Sequence, residues 1–341
     1  MNFTIDTQSL KPIDFSIPQV STKLNRVDFW GAVRVRWGFG RESYLIIPGL
    51  YKVGNPNNES NVFVSANYKL SFDALRKSLD GLHAWIMVID TKGINVWCAA
   101  GKGTFGTDNI VSSIKTTSLE LIVKHRTLIV PQLGAVGVAA HLVHQKSGFR
   151  VVYGPVLAKD IKEFITAGYK ANKEMREMRF PIQERIKLIP VDLMYGKFYL
   201  LLGIALLFVI SGLDRTGFLF GKMFENSLFP ISNLLCAYIS GIVLTPIVLP
   251  WIPFRAFALK GAVIATLATF GLQLIQHNST IESISFWLIN LSVASFMSMN
   301  FTGSSTYTSL SGVKKEMKWA LPIQIVFASV GLIVFVISKL L

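Results

Sequence analysis

Apolar, β-prone runs alternate with helical patterns through the first half of the chain, and long uninterrupted apolar stretches fill the second. Residues 61–66, 84–90 and 127–130 predict strands, 72–79 predicts a helix and 108–114 the start of another. The segments 138–144, 151–153 and 157–167 continue the alternation. Strands that alternate with helices predict an α/β domain of Rossmann-like type. Its sheet is expected to be doubly wound and mainly parallel, with ligands at the carboxyl ends of the strands.

In the second half, residues 195–213, 228–249, 257–274, 284–299 and 321–340 are each long enough, or nearly so, to span about 30 Å of hydrocarbon. They predict an all-α transmembrane bundle of about five helices. With the first domain inside, the inner flanks carry seven, two and three basic residues, against two, none and one outside. That asymmetry predicts a multi-pass protein of the inner, cytoplasmic membrane with the α/β domain in the cytoplasm. The span centres hold no ionisable residue, and Lys197, Lys260 and Lys339 lie near enough to an end to snorkel. Pro246 and Asn290 are read as a packed kink and an interhelical hydrogen bond rather than as a pathway. An anchor or docking platform is therefore favoured over a transporter. The expected divisions are an extension at 1–39, the α/β domain at 40–169, a basic juxtamembrane linker at 170–194 and the transmembrane domain at 195–341.

Composition agrees: 51% of residues are hydrophobic and only 16% charged, too apolar for a soluble protein of 341 residues. The N-terminal segment has an early acid and no basic n-region, so no cleavable secretory signal is expected. The net charge of +14 is concentrated beside the apolar spans rather than interleaved with aromatics, which argues against nucleic acid as a partner. Seven Lys or Arg between Lys170 and Lys197 suit an anionic leaflet, and a solvated helix that only sets topology is the alternative. Two cysteines, Cys98 and Cys236, exclude a disulfide framework and any four-cysteine cluster or zinc site.

The segment from Asp90 to Gly106 carries the chemistry. Gly101, Gly103 and Gly106 match the spacing of a dinucleotide fingerprint if 94–98 is a strand, but Glu120 does not sit where the ribose-binding acid belongs. Lys102 is followed by Gly rather than Ser or Thr, which excludes a P-loop. A second reading rests on Asn95-Val-Trp-Cys-Ala-Ala-Gly-Lys102. Small residues after one cysteine admit a broad planar ligand, and Trp97 can pack on its edge. A turn of helix opening at Cys98 would favour its thiolate, which suits one axial bond to a macrocycle-held metal. A buried, inert cysteine is the third reading.

The same eight residues resemble the signature of the mercury-methylating corrinoid membrane proteins, a family related to the large subunit of the corrinoid iron–sulfur protein of acetyl-CoA synthesis. Segments around Pro48 to Tyr51, Ala66 to Lys69, Asp90 to Gly93, Pro131 to Leu133 and Tyr153 to Pro155 resemble the wider family, over roughly residues 40 to 180. No Asp-x-His-x-x-Gly motif, which supplies a histidine ligand in other corrinoid proteins, is present. The resemblance implies that Cys98 is the lower axial ligand of a cobalamin-type cobalt and the catalytic residue. Asn95, Val96, Trp97, Ala99, Ala100, Gly101 and Lys102 would form the helix beneath the corrin, with Val64, Ser65, Ala66 and Thr91 as facing contacts. A solvated Lys102 is the alternative.

The implied reaction is methyl transfer from cobalt to inorganic Hg(II), giving methylmercury, with a methylated folate-type donor or its methyltransferase upstream. The chain has no paired cysteines to hold mercury and no cluster motif, so a partner or a small-molecule thiol must deliver the substrate. A ferredoxin-like partner with two [4Fe–4S] clusters must supply electrons, under anaerobic conditions. A corrinoid methyl carrier with another acceptor, and a membrane protein with a nucleotide-binding regulatory domain, stay open. His141 and His144 lack a third ligand, His83, His125 and His277 are isolated, and Cys236 reads as a packing residue.

Overall fold

The computed structural model describes residues 17–276, 279–301 and 310–341; the N-terminal segment judged for a signal, through residue 16, and His277 lie outside the described residues. The chain divides into two compact units, Gly40–Met178 with the residues up to Val35, and Arg179–Leu341 with Arg36–Phe39.

The first unit is a mixed α/β domain. Its strands are β1 (Gln19–Val20), β2 (Gly49–Val53), β3 (Val62–Ala66), β4 (Ala84–Ile89), β5 (Thr127–Val130) and β6 (Arg150–Tyr153), in the sheet order β1-β2-β4-β3-β5-β6. All neighbours are parallel except β2 and β4, whose antiparallel pairing puts the sequence-unpredicted β2 beside β4. The helices are α1 (Arg26–Arg36), α2 (Lys69–Ser78), α3 (Val96–Lys102), α4 (Thr107–Thr116), α5 (Leu119–Ile122), α6 (Ala140–Ser147), α7 (Ile161–Thr166) and α8 (Lys173–Arg176). Val64, Ala66, Met87, Ile89 and Val130 point to a core shared with Val96, Ala99 and Ala100 of α3, Ile110 and Ile114 of α4, and Val143 of α6. Phe63, Ile86, Val88 and Ile129 point the opposite way, onto Phe72 and Leu75 of α2, Phe164 of α7 and Met175 of α8. Burial on both faces is why β3, β4 and β5 read as continuous apolar runs rather than alternating ones.

The second unit is helical. A hairpin of β7 (Leu213–Asp214) and β8 (Gly217–Phe218) accompanies α9 (Ile182–Ile186), α10 (Ile189–Ile210), α11 (Phe220–Asn226), α12 (Leu228–Ile239), α13 (Thr245–Val248), α14 (Phe257–Ile275), α15 (Thr280–Asn300) and α16 (Leu310–Leu340). Among the described residues, five helical stretches are long and apolar enough to cross a membrane: Ile182–Ile210, Leu228–Trp251, Phe257–Ile275, Thr280–Asn300 and Gly312–Leu340. The first and last begin well before the apolar runs at 195 and 321; the first joins α9 to α10 through a turn at 187–188.

Lys260 does not snorkel. It is buried, and its Nζ donates to the carbonyls of Leu249 (2.6 Å) and Ile252 (2.9 Å), where the preceding helix ends and leaves acceptors without intrahelical donors. Arg185, also buried, donates in the same way to Pro246 (2.8 Å) and Ile247 (2.6 Å). Lys339 pairs with Glu282 at 2.6 Å, and Lys197 lies over the rings of Phe39 and Phe198. Around Pro246 the helix widens into a π-turn at Ser240–Leu244, and the Thr245 hydroxyl donates to the Ser240 carbonyl at 2.8 Å. Asn290 bridges helices, donating to Asn233 of α12 (3.0 Å) and Thr269 of α14 (2.9 Å).

Candidate functional site

Strands β3 and β4 end side by side, Ala66 opposite Ile89. The next residue on β3's side, Asn67, is buried, and its Oδ1 accepts from the backbone N–H groups of Thr91 and Gly93, both at 3.0 Å, with the Thr91 hydroxyl 2.8 Å away. Its Nδ2 donates to Asp90 Oδ1 at 3.0 Å, which also accepts from the Lys92 amide at 3.0 Å. Lys92 and Gly93 take left-handed conformations, φ 55° and 72°. A side chain at Gly93 would collide with Leu45 and stand 3.3 Å from the Glu42 carbonyl, so this turn requires glycine.

The turn delivers the chain to Asn95, whose side chain caps α3 by accepting from the Cys98 amide at 2.9 Å. Two expectations are thereby corrected. Residues 94–98 are not a strand, because the Asn95 cap overrides the β propensity of Val96 and Trp97. The helix opens at Val96, two residues before Cys98, so the cysteine sits in its first turn. The dinucleotide reading falls with the strand: Gly101 lies inside α3, Gly103 ends it at φ 80°, and Gly106 caps α4.

Helix α3 has two unlike sides. Val96, Ala99 and Ala100 are buried against the sheet, whereas Trp97 and Cys98 are half-buried and Gly101 and Lys102 exposed. Gly101 stands one turn beyond Cys98, and a Cβ there would meet nothing within 4 Å. On the buried side the loop after β5 presses in. A Cβ at Gly137 would run into the Phe105 carbonyl and stand 3.0 Å from that of Ala100, while one at Gly134 would be 2.6 Å from the Phe105 ring. The Gly137 carbonyl accepts from the Thr107 amide (3.2 Å), and the Thr107 hydroxyl accepts from the Ala139 amide (2.9 Å). The helix is thus braced from behind and open in front.

Val64, Ser65, Ala66 and Thr91 are all buried. Val64 and Ala66 pack in the core beneath α3, the Ser65 hydroxyl donates to the Ala66 carbonyl (3.2 Å), and the Thr91 hydroxyl lies 2.7 Å from the Ile94 carbonyl. Of these, Val64 and Ala66 support α3 from below. Sequence reasoning missed Asn67 as the organiser of the site; an asparagine directly after a fully buried strand was the available signal.

Cys98 and Cys236 are both free thiols. Among the described residues no three His, Cys, Asp or Glu come together to hold a metal ion. His141 and His144 are exposed on α6, His83 accepts from the Asn55 amide (3.1 Å), and His125 bonds the Ser60 carbonyl (2.9 Å). One soft sulfur donor beside open space and a half-exposed indole fits a metal already held by a macrocycle, and fits no cage built from side chains.

The class this region resembles is that of the CO dehydrogenase/acetyl-CoA synthase delta subunit, whose family model matches residues 45–165. Among individual proteins, the acetyl-CoA decarbonylase/synthase complex subunit gamma of Methanopyrus kandleri is 30% identical over 127 residues, covering 37% of this chain and 27% of that protein. The same subunit of Archaeoglobus fulgidus is 28% identical over 130 residues, 37% of this chain and 27% of the relative. The corrinoid/iron-sulfur protein large subunit of Moorella thermoacetica is 28% identical over 120 residues, 35% of this chain and 26% of the relative. The chain therefore matches about a quarter of the length of these relatives. The family model's match falls on the sheet unit that carries α3, before the first apolar span.

Proposed function

We propose that the sheet unit is a Rossmann-like corrinoid-binding domain with Cys98 as the lower axial ligand to cobalt. The five apolar helices hold it in the inner membrane on the cytoplasmic side. The domain divisions follow the sequence reading, 40–169 for the corrinoid domain, 170–194 for the linker and 195–341 for the membrane domain. The bound corrinoid supplies a metal centre that accepts a methyl group and passes it on, and inorganic Hg(II) is the acceptor. The observation that carries the reading is the open front of α3: a half-exposed sulfur with vacant space one turn on at Gly101, in a segment that resembles corrinoid proteins.

The protein's own residues orient and support. Asn95 fixes the first turn and with it the direction of the Cys98 side chain. Trp97, half-buried next to Cys98 in the chain, packs on the edge of the bound ligand. Gly101 leaves room for a flat ligand to approach the helix backbone, and Ala99 and Ala100 bring the helix close to the sheet. The segments around Val64, Ser65, Ala66 and Thr91 supply the facing contacts to the corrin. Electrons come from a ferredoxin-like partner with two [4Fe–4S] clusters, methyl groups from a methylated folate-type donor or its methyltransferase, and mercury from a thiol carrier. The setting is anaerobic.

Anaerobic reconstitution of the full chain with a corrinoid tests this. Wild type should retain cobalt and form methylmercury with its reductant, and Cys98→Ala should show a changed visible spectrum and lose the activity. A wild type that stays free of corrinoid would overturn the reading. A wild type that binds corrinoid and methylates another acceptor but not Hg(II) would leave the cofactor and overturn mercury.

A further inference from the structure

Helix α1 is inside out. Its only acid, Asp28, is buried and faces the domain, 2.5 Å from Lys69 Nζ and 2.7 Å from Arg76 Nη2, and Asp73 completes the cluster at 2.7 Å from each of those cations. Gly31 also faces inward, where the Tyr44 ring lies too close for any side chain. The large apolar residues point the other way: Val27 is 78% exposed, Phe29 60% and Trp30 65%, with Trp37 and Phe39 also exposed beyond the helix end. Exposed Arg26 and Arg34 stand among them, and Lys23, Arg36 and Arg41 flank them. Basic residues are therefore interleaved with exposed aromatics here, contrary to the expectation from sequence.

In water this arrangement wastes apolar surface, and a contiguous aromatic patch of this kind marks an interaction site. With Asp28 neutralised internally, the outward charge of residues 17–41 is basic apart from exposed Glu42 just beyond. The chain continues from α1 into Arg36–Phe39, which belong with the helical unit. There Phe39 lies under Lys197 of α10, and a Cβ at Gly38 would be in van der Waals contact with Val191 and Met194 of the same helix. Val191, Met194 and Lys197 stand in the first three turns of α10.

We propose that the outer face of α1 lies in the anionic headgroup layer of the membrane, its Phe29, Trp30 and Val27 inserted at the interface and Arg26 and Arg34 on lipid phosphates. Aromatic and basic residues on one face, in a helix whose chain runs directly on into Arg36–Phe39 of the helical unit, are what an interfacial helix needs. The proposal rests on the reading of the five helices as membrane spans.

Nitroxide labels on the full chain in vesicles test both statements separately. In a Cys98→Ala, Cys236→Ala background, single cysteines replace Trp30, Ser112 (exposed on α4) and Leu267 (exposed on α14). In phosphatidylglycerol-containing vesicles the label at 30 should favour oxygen over an aqueous nickel chelate several-fold more than the label at 112. That ratio should fall several-fold in pure phosphatidylcholine, and again with Arg26→Glu and Arg34→Glu. A label at 30 as open to nickel as that at 112, with 267 in hydrocarbon, would overturn the proposal alone. A label at 30 shielded from both reagents would also overturn it, in favour of a protein partner or a second copy. A label at 267 open to nickel would overturn the spanning reading and this proposal with it.

Discussion

Asn67 at the end of β3 and Asn290 in the middle of α15 are both buried, and each ties together elements distant in sequence, but they use their amides differently. Asn67 spends its acceptor on one short turn, taking two backbone N–H groups, and its donor on Asp90 in the same turn. Asn290 spends its donor on two other helices and leaves Oδ1 without a partner. In the sheet unit, buried polar groups shape backbone so that one helix face stays open. In the helical unit they join helices or satisfy helix ends, as Lys260 and Arg185 do. The first arrangement builds a site and the second builds a bundle.

The comparison breaks most visibly at Asn67. Asn67→Leu removes the acceptor from buried donors and should raise hydrogen exchange across residues 62–95, with a loss of local stability on the order of 3 kcal/mol. Unchanged exchange would show that the turn does not depend on this side chain.

Two glycines sharpen the contrast between the back and front of α3. Gly137→Ala places a methyl against the Phe105 and Ala100 carbonyls and should destabilise the unit by about 2 kcal/mol. Gly101→Ala adds a methyl to open space in a helix and should stabilise it by about 0.5 kcal/mol. Exchange protection of α3 should therefore move in opposite directions in the two variants.

Asp28 adds a pH dependence to the sheet unit. Burial acts to raise its pKa, but the Lys69 ammonium, the Asn25 amide and the Arg76 guanidinium outweigh burial and hold it at about 2, below the ordinary 3.8. A depressed carboxyl contributes stability that is fully present above its unfolded pKa and is lost as pH falls through the folded one. Protection of α1 and α2 should decline between about pH 4 and pH 2 in wild type, and Asp28→Asn should flatten that decline. The effect in the bundle is also small: Asn290→Leu should cost about 0.6 kcal/mol in a detergent-unfolding titration, if the helices span a membrane as proposed.

Much of the sheet unit was legible in the sequence because its signals are local. β5 spans 127–130 as its apolar run predicts, and β3, β4 and α4 fall within a residue or two of theirs. The five apolar helices were legible for the same reason. What escaped depends on distant partners. β2 is antiparallel to β4 across an intervening strand and helix, which no periodicity reveals. Val96 and Trp97 look like strand until Asn95 is seen as a cap. Lys260 looked able to snorkel, but the carbonyls that receive it lie in the preceding segment. The segment around Cys98 drew attention by composition, while its open front and braced back come from Gly93, Gly101 and Gly137, which a pattern of apolar positions cannot distinguish.

The proposed site comes down to one sulfur on one metal. Cobalt K-edge X-ray absorption of the corrinoid-reconstituted full chain should show a cobalt–sulfur path in wild type that disappears in Cys98→Ala. A wild-type spectrum with only nitrogen and oxygen neighbours would contradict it.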